Sequence, residues 1–165
     1  MRDIGFNFYW KDKFTPNLVS KGFEYREETG DIRLITSFES FEHFVNPIQE
    51  IESMLSMSKN LLFTTELLPT PVPHPGDWHY YGLQHGQHVS FYSRKTLKFI
   101  ADKYGLIFYS VEPLHLITST KINPLYLKIL LKCRRFGLFL YIKKRLKSRT
   151  VDDSILMKAK EFGDV

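Results

Sequence analysis

Apolar residues along this chain gather in short blocks, and between the blocks they return at helical spacing. FNFYW, residues 6–10, is an aromatic run that reads as a short strand, followed by a polar turn carrying Asp12. Thr15-Pro16-Asn17 opens a helical or irregular piece, and KGFEY leads toward another sheet edge. Residues 32–38 are apolar on both faces, as in a covered strand of a parallel sheet. Asn46 and Pro47 then suit an N-cap and a first helical residue. Ile48, Ile51 and Leu55 mark one helical face, with Glu50 and Glu52 near the positive N-terminal end and Lys59-Asn60 as the stop. LLFTTELL, residues 61–68, predicts a third strand.

A long connection follows, with Pro69, Pro71, Pro73 and Pro75 and then GDWHYYGLQHGQH. Ser93 caps the next predicted helix, where Leu97, Ile100, Ala101 and Tyr104 share a stripe and Gly105 sits just past the end. LIFYSVEP and LHLITST predict two antiparallel strands about a tight turn at Pro113. From Pro124 the pattern becomes a basic, leucine-rich helical tract, in which Gly137 weakens a single continuous helix.

Strands alternating with helices predict an α/β layered sheet, and in such sheets ligands bind beyond the carboxyl ends of the strands. Glu39, Glu42 and His43 follow one such end. At 165 residues, with 43% hydrophobic and 25% charged residues, the chain has an ordinary globular profile. The single cysteine, Cys133, excludes an internal disulfide and suits a reducing compartment. No apolar run approaches the roughly 20 residues that span a bilayer, and no signal peptide opens the sequence, so a cytoplasmic location is expected. The net charge of +5 is uneven: residues 121–149 hold ten Lys/Arg and no Asp/Glu, against thirteen basic and eighteen acidic residues elsewhere. The expected division is therefore 1–120 and a basic extension, 121–165. Lysines over a core-covering helix, an anionic membrane surface, peripheral to the inner membrane, and a nucleic-acid backbone all suit the extension. No specific nucleic-acid signature is present.

DIRLITSFESFEHFVNPIQEIESML resembles the fourth strand and following helix of class I S-adenosylmethionine-dependent methyltransferases, with their E-x-x-E-H pattern at Glu39, Glu42 and His43. HVSFYSRKTLKFIADKYGL is similar to a stretch after the fifth strand in a subgroup acting on sugars or other small acceptors. The resemblance covers about residues 4–120. It implies an incomplete Rossmann-like sheet, mostly parallel with a terminal antiparallel hairpin, and S-adenosylmethionine as cofactor. The sequence contains no G-x-G-x-G turn, and only eleven residues precede Asp12. The expectation is a methyltransferase lacking its first strand and glycine turn, weak in cofactor binding and prone to self-association through exposed sheet edges.

Within that resemblance Asp12 would hold the ribose hydroxyls, and Phe38 and Glu39 would face the cofactor. His43 would be the base for the acceptor proton, with Glu42 fixing its tautomer. Trp78, Tyr81, His85 and His88 would line the pocket for a small-molecule or glycan acceptor. Read from the residues alone, Asp12 equally suits a solvated turn, Glu42 and His43 a polar helix start, and the loop ordinary packing. His79, His85 and His88 match no compact zinc spacing, and no metal is expected. Two other readings remain: a methyltransferase-like domain that binds or anchors without catalysis, and a metal-dependent hydrolase or lyase at the histidine loop.

Overall fold

The computed structural model describes residues 1–13, 15–133 and 136–163, the last three of these through their backbone only. The chain divides into two compact units, one of Met1–Gly30 with Ile129–Val165 and one of Asp31–Lys128.

The second unit is built on a four-stranded sheet of order β1-β2-β4-β3, with β1 Ile35–Ser37, β2 Asn60–Thr64, β3 Ile107–Val111 and β4 Leu114–Thr118. β1 and β2 are parallel; β4 runs antiparallel to both β2 and β3. Three strands therefore point one way, and the reversed strand inserts between β2 and β3, completing the expected terminal hairpin. Helix α1, Pro47–Met57, starts where Asn46-Pro47 predicts, although Asn46 makes no side-chain cap bond. Helix α2, Arg94–Lys103, is capped by Ser93, whose side chain accepts from the Thr96 N–H at 3.1 Å.

Two predicted strands are shorter than the sequence suggests. Residues 32–38 pair only over Ile35–Ser37, and LLFTTELL pairs over Asn60–Thr64 before Leu67 makes an isolated bridge to Tyr92. β2 alternates between fully and partly buried residues, with Leu61 and Phe63 pointing into the core. That core also holds Phe41, Ile51, Leu55, Tyr92, Leu97, Ile100, Ala101, Leu106 and Ile117. Phe41 stacks on Phe63 with centroids 4.0 Å apart and planes 7° from parallel. Its carbonyl accepts the Tyr92 hydroxyl at 3.0 Å.

In the first unit FNFYW does not form the predicted strand. Only Trp10 pairs, as an isolated parallel bridge with Glu24. One acceptor a ladder would need is diverted: Arg2 donates to the Phe8 carbonyl at 3.0 Å, and also to the side-chain Asn7 Oδ1 at 3.0 Å. The same guanidinium lies 3.9 Å over the Phe23 ring and forms a two-pronged pair with Asp153, at 2.7 and 2.6 Å. Asp153 belongs to helix α5, Thr150–Gly163. These bonds hold the Asp153 carboxyl below its ordinary value.

The basic tract is broken into helices. Helix α3 covers Pro124–Cys133 and α4 covers Leu138–Arg145, with Gly137 in the left-handed conformation (φ 81) at the break. Arg134 and Arg135, two of the tract's basic residues, lie outside the described residues. No described helix is long and apolar enough to cross a membrane.

Phe41→Ala should cost about 3–5 kcal/mol, because it empties a ring-sized space at the centre of the core. Urea unfolding monitored by circular dichroism measures this. A loss below about 1 kcal/mol would show that Phe41 does not anchor its turn.

Candidate active site

The site is assembled by a single 3-10 turn, Phe41–His43, that follows β1. Because Phe41 is driven into the core, Glu42 is carried with it and is only 1% exposed, while His43 emerges at the surface. The loop segment 87–90 is laced onto this turn. The Val89 and Ser90 N–H groups both donate to the Glu42 carbonyl, at 2.8 and 3.0 Å. Ser90 Oγ donates to the Phe44 carbonyl at 2.6 Å.

The two histidines of the site are held in the same manner. His43 Nδ1 lies 2.9 Å from the Gln87 carbonyl, and His88 Nδ1 lies 2.5 Å from the Tyr80 carbonyl. A carbonyl only accepts, so each Nδ1 carries a proton, and in the neutral ring Nε2 is the nitrogen with the lone pair. The rings meet edge to face with centroids 5.1 Å apart. One ring nitrogen of each, together with a Glu42 carboxylate oxygen, lies within 4.8 Å of the others. Glu42 Oε2 is buried without a hydrogen-bond partner among the described residues.

On the strand side of the turn, Glu39 takes a left-handed backbone (φ 48), uncommon for a residue with a side chain. Thr64, at the end of β2, holds it there. Glu39 N–H donates to Thr64 Oγ1 at 3.0 Å, and that hydroxyl donates to Glu39 Oε1 at 2.7 Å. Glu39 borders a cleft of about 380 Å³ whose other walls include Thr65, Glu66, Tyr80 and Glu112. Phe38, beside it, leaves half its surface (51%) exposed.

The aromatic loop divides into buried and open parts. Trp78 is 7% exposed and packs with Tyr80, Tyr81 and Phe91, while its indole N–H donates to Glu66 at 3.2 Å. Tyr81 is half-buried and its hydroxyl donates to the Pro73 carbonyl at 3.0 Å. His85 is exposed, folded over Gly82, where any side chain would collide with its ring. His88 joins His43 and Glu42, so the site residues 42, 43 and 88 are brought together. Asp12 lies in the other unit, where its carboxylate accepts the Thr15 hydroxyl at 2.7 Å.

These features sit on a matched family pattern. A family model described as a methyltransferase domain matches residues 1–111. The chain belongs to this methyltransferase-domain family. No curated protein and no solved structure matches it. The match runs from the first residue through β3 and includes Asp12, Glu39, Glu42, His43 and His88. Methyltransferase domains of this kind typically draw their methyl group from S-adenosylmethionine.

Sequence reasoning missed Tyr80 and Thr65 in this methyltransferase domain, and His115 just beyond the matched residues. Tyr80 is buried with its hydroxyl 3.2 Å from Thr65 Oγ1; burial raises its phenol above the ordinary value, and the Glu42 charge adds to the rise. Burial pushes the neighbouring Tyr92 up to about 12. His115 supports the cleft floor from β4, with Nε2 3.0 Å from the Thr65 carbonyl and Nδ1 2.9 Å from Ser110 Oγ. No spacing rule flagged these residues, since each acts through a partner distant in sequence.

Burial lowers the His115 pKa from its ordinary value, so the folded protein holds the ring neutral. Below about pH 6.5 the unfolded chain binds a proton at this position that the folded chain refuses. Stability should therefore be highest above that pH and fall as the pH drops toward the lowered folded value. Comparing urea midpoints at about pH 7.5 and 5.5 for the wild type and His115→Asn checks this. An equal fall in both proteins would assign the pH dependence to other groups.

Proposed function

We propose that this methyltransferase domain transfers a methyl group from S-adenosylmethionine to a small, hydroxyl-bearing or glycan-like acceptor. The observation that carries the reading is Glu39, a carboxylate held in a left-handed backbone at the carboxyl end of β1, one turn before the Glu42–His43 pair. Left-handed residues with side chains concentrate at functional sites, where surrounding contacts must hold them. The donor set suits the cofactor's methionine end. A carboxylate attracts its ammonium and sulfonium charges, and the open ring of Phe38 offers a cation a π face. When bound, S-adenosylmethionine supplies an activated methyl carbon.

The remaining work falls to the chain's own side chains. Glu39 and Phe38 hold the cationic end. His43, its Nδ1 proton directed at the Gln87 carbonyl, offers the Nε2 lone pair to the acceptor's proton. Glu42 places a buried carboxyl beside that ring. Tyr81, His85 and His88 are assigned the acceptor, with Trp78 forming the wall behind them.

Release of S-adenosylhomocysteine in the presence of a panel of sugar and phenolic acceptors tests the reading. Turnover should fall at least roughly tenfold in His43→Ala with cofactor affinity retained. Glu39→Gln should weaken cofactor affinity by about the same factor, read by calorimetry. Unchanged affinity in Glu39→Gln, or full turnover in His43→Ala, removes the assigned role. Because the 165 residues hold no glycine-rich turn, affinity of the chain by itself should be weaker than micromolar.

A second reading, attachment to an anionic membrane surface, draws on α4. Phe139 and Leu140 are 53% and 63% exposed, and Lys143, Lys144 and Arg145 close the same helix. Apolar side chains in the headgroup layer with cations above them are what an interfacial helix needs. Each cation near an anionic surface contributes about 1 kcal/mol, so K143E/K144E/R145E should weaken binding to phosphatidylserine vesicles at least roughly a hundredfold. Equal sedimentation of the variant and the wild type would end this reading.

A further inference from the structure

Glu42 poses a physical problem that methyl transfer alone does not answer. Its side chain is 1% exposed, and among the described residues Oε2 has no hydrogen-bond partner. A buried carboxyl oxygen without a donor is costly, and proteins retain such groups where a cation or another partner satisfies them. Two imidazoles approach the same carboxyl from different parts of the chain. Both carry their proton on Nδ1, fixed by the backbone carbonyls of Gln87 and Tyr80. That is the outer-shell arrangement that prepares a histidine to ligate through Nε2: the hydrogen bond fixes the tautomer, aims the ring and raises its basicity. Ligand atoms of Glu42, His43 and His88 lie within 4.8 Å of one another, close enough for one ion to touch all three.

We propose that Glu42, His43 and His88 form a binding site for a divalent transition-metal ion of the zinc class. Two imidazoles and one carboxylate suit a borderline cation. An all-oxygen set would instead favour magnesium or calcium. Three protein ligands leave a coordination position open, as in catalytic rather than structural zinc sites. His43, one of the three, is exposed, which puts the site within reach of solvent. The site differs from the trio of loop histidines, since it pairs one of them, His88, with the 3-10 turn that follows β1.

The scaffold also fits this role. Phe41 pins one end of the turn in the core, and the Glu42 carbonyl accepts two N–H groups from the segment carrying His88. The ligands therefore sit on backbone that is already ordered by contacts independent of any ion. Metal binding by these residues does not rest on methyl transfer. It does alter His43's part there, because an ion on Nε2 would activate the acceptor hydroxyl in place of the free imidazole.

The test uses the full chain, stripped with chelator and then titrated with Co²⁺ alone and Zn²⁺ alone. Co²⁺ should bind one per chain with the intense visible absorption of a low-coordinate nitrogen–oxygen site, and Zn²⁺ should displace it. Glu42→Gln, His43→Ala and His88→Ala should each weaken Zn²⁺ binding at least roughly tenfold. His74→Ala, an exposed loop histidine outside the trio, should leave it unchanged. His43 is exposed, so its variant keeps the core intact even where Glu42→Gln disturbs folding. Absence of the Co²⁺ band, or Zn²⁺ affinity that survives both His43→Ala and His88→Ala, overturns the proposal. A chain that binds metal as described yet transfers no methyl group leaves this site standing and removes the reaction.

Discussion

Burial of one aromatic ring governs the arrangement of the site. Phe41 lies against Phe63 of β2, receives the Tyr92 hydroxyl on its carbonyl, and contacts Phe44 at 5.0 Å. Three residues per turn set successive side chains of a 3-10 turn about 120° apart, so fixing one fixes the directions of the next two. With Phe41 fixed in the core, Glu42 is drawn out of water and His43 is left at the rim. The apolar transfer energy of the ring, about 2–3 kcal/mol, thus opposes the cost of a half-satisfied carboxyl beside it. The core and the chemistry of the site are therefore one problem in packing.

A second constraint is backbone hydrogen bonding across a long sequence separation. Residues 69–93 form almost no regular structure, yet they are not loosely attached. The Glu42 carbonyl takes two N–H donors from Val89 and Ser90, and the Leu68 N–H donates to the Tyr92 carbonyl at 2.9 Å. Each end of the connection is thereby fastened to the sheet or to the turn after it. Trp78, Tyr80, Tyr81 and Phe91 fill the space between these fastenings with a cluster of rings. Order here comes from side-chain packing and isolated bonds, which no periodicity announces.

Much of the second unit was legible in sequence. α1 and α2 appear where Pro47 and Ser93 predict them, and β3 and β4 form the hairpin expected around Pro113. These elements carry local signals: a cap, a proline, an apolar stripe, a tight turn. The placement of Glu39, Glu42 and His43 after a strand end was legible too, and so was the break at Gly137. FNFYW was misread because aromatic content indicates a strand only where a partner strand is available. In this chain Arg2, brought in by its pair with Asp153 of α5, takes the carbonyl of Phe8 instead. The resemblance put His88 on the same acceptor side as Glu42 and His43, but spacing did not show their direct approach, because the 3-10 turn and the loop meet only through tertiary bonds.

The sequence by itself determined where α1, α2 and the β3–β4 hairpin form, that the sheet mixes directions, and which polar residues follow the end of β1. Those properties depend on neighbours within a few positions along the chain, where capping, spacing and turn chemistry operate. Only the tertiary structure decided that Glu42 is buried and His43 is not, that Glu39 takes a left-handed backbone, and that His88 shares a site with residues more than forty positions earlier. Burial and hydrogen-bond partnership are set by contacts between distant segments, and a linear pattern carries no record of which segments will meet.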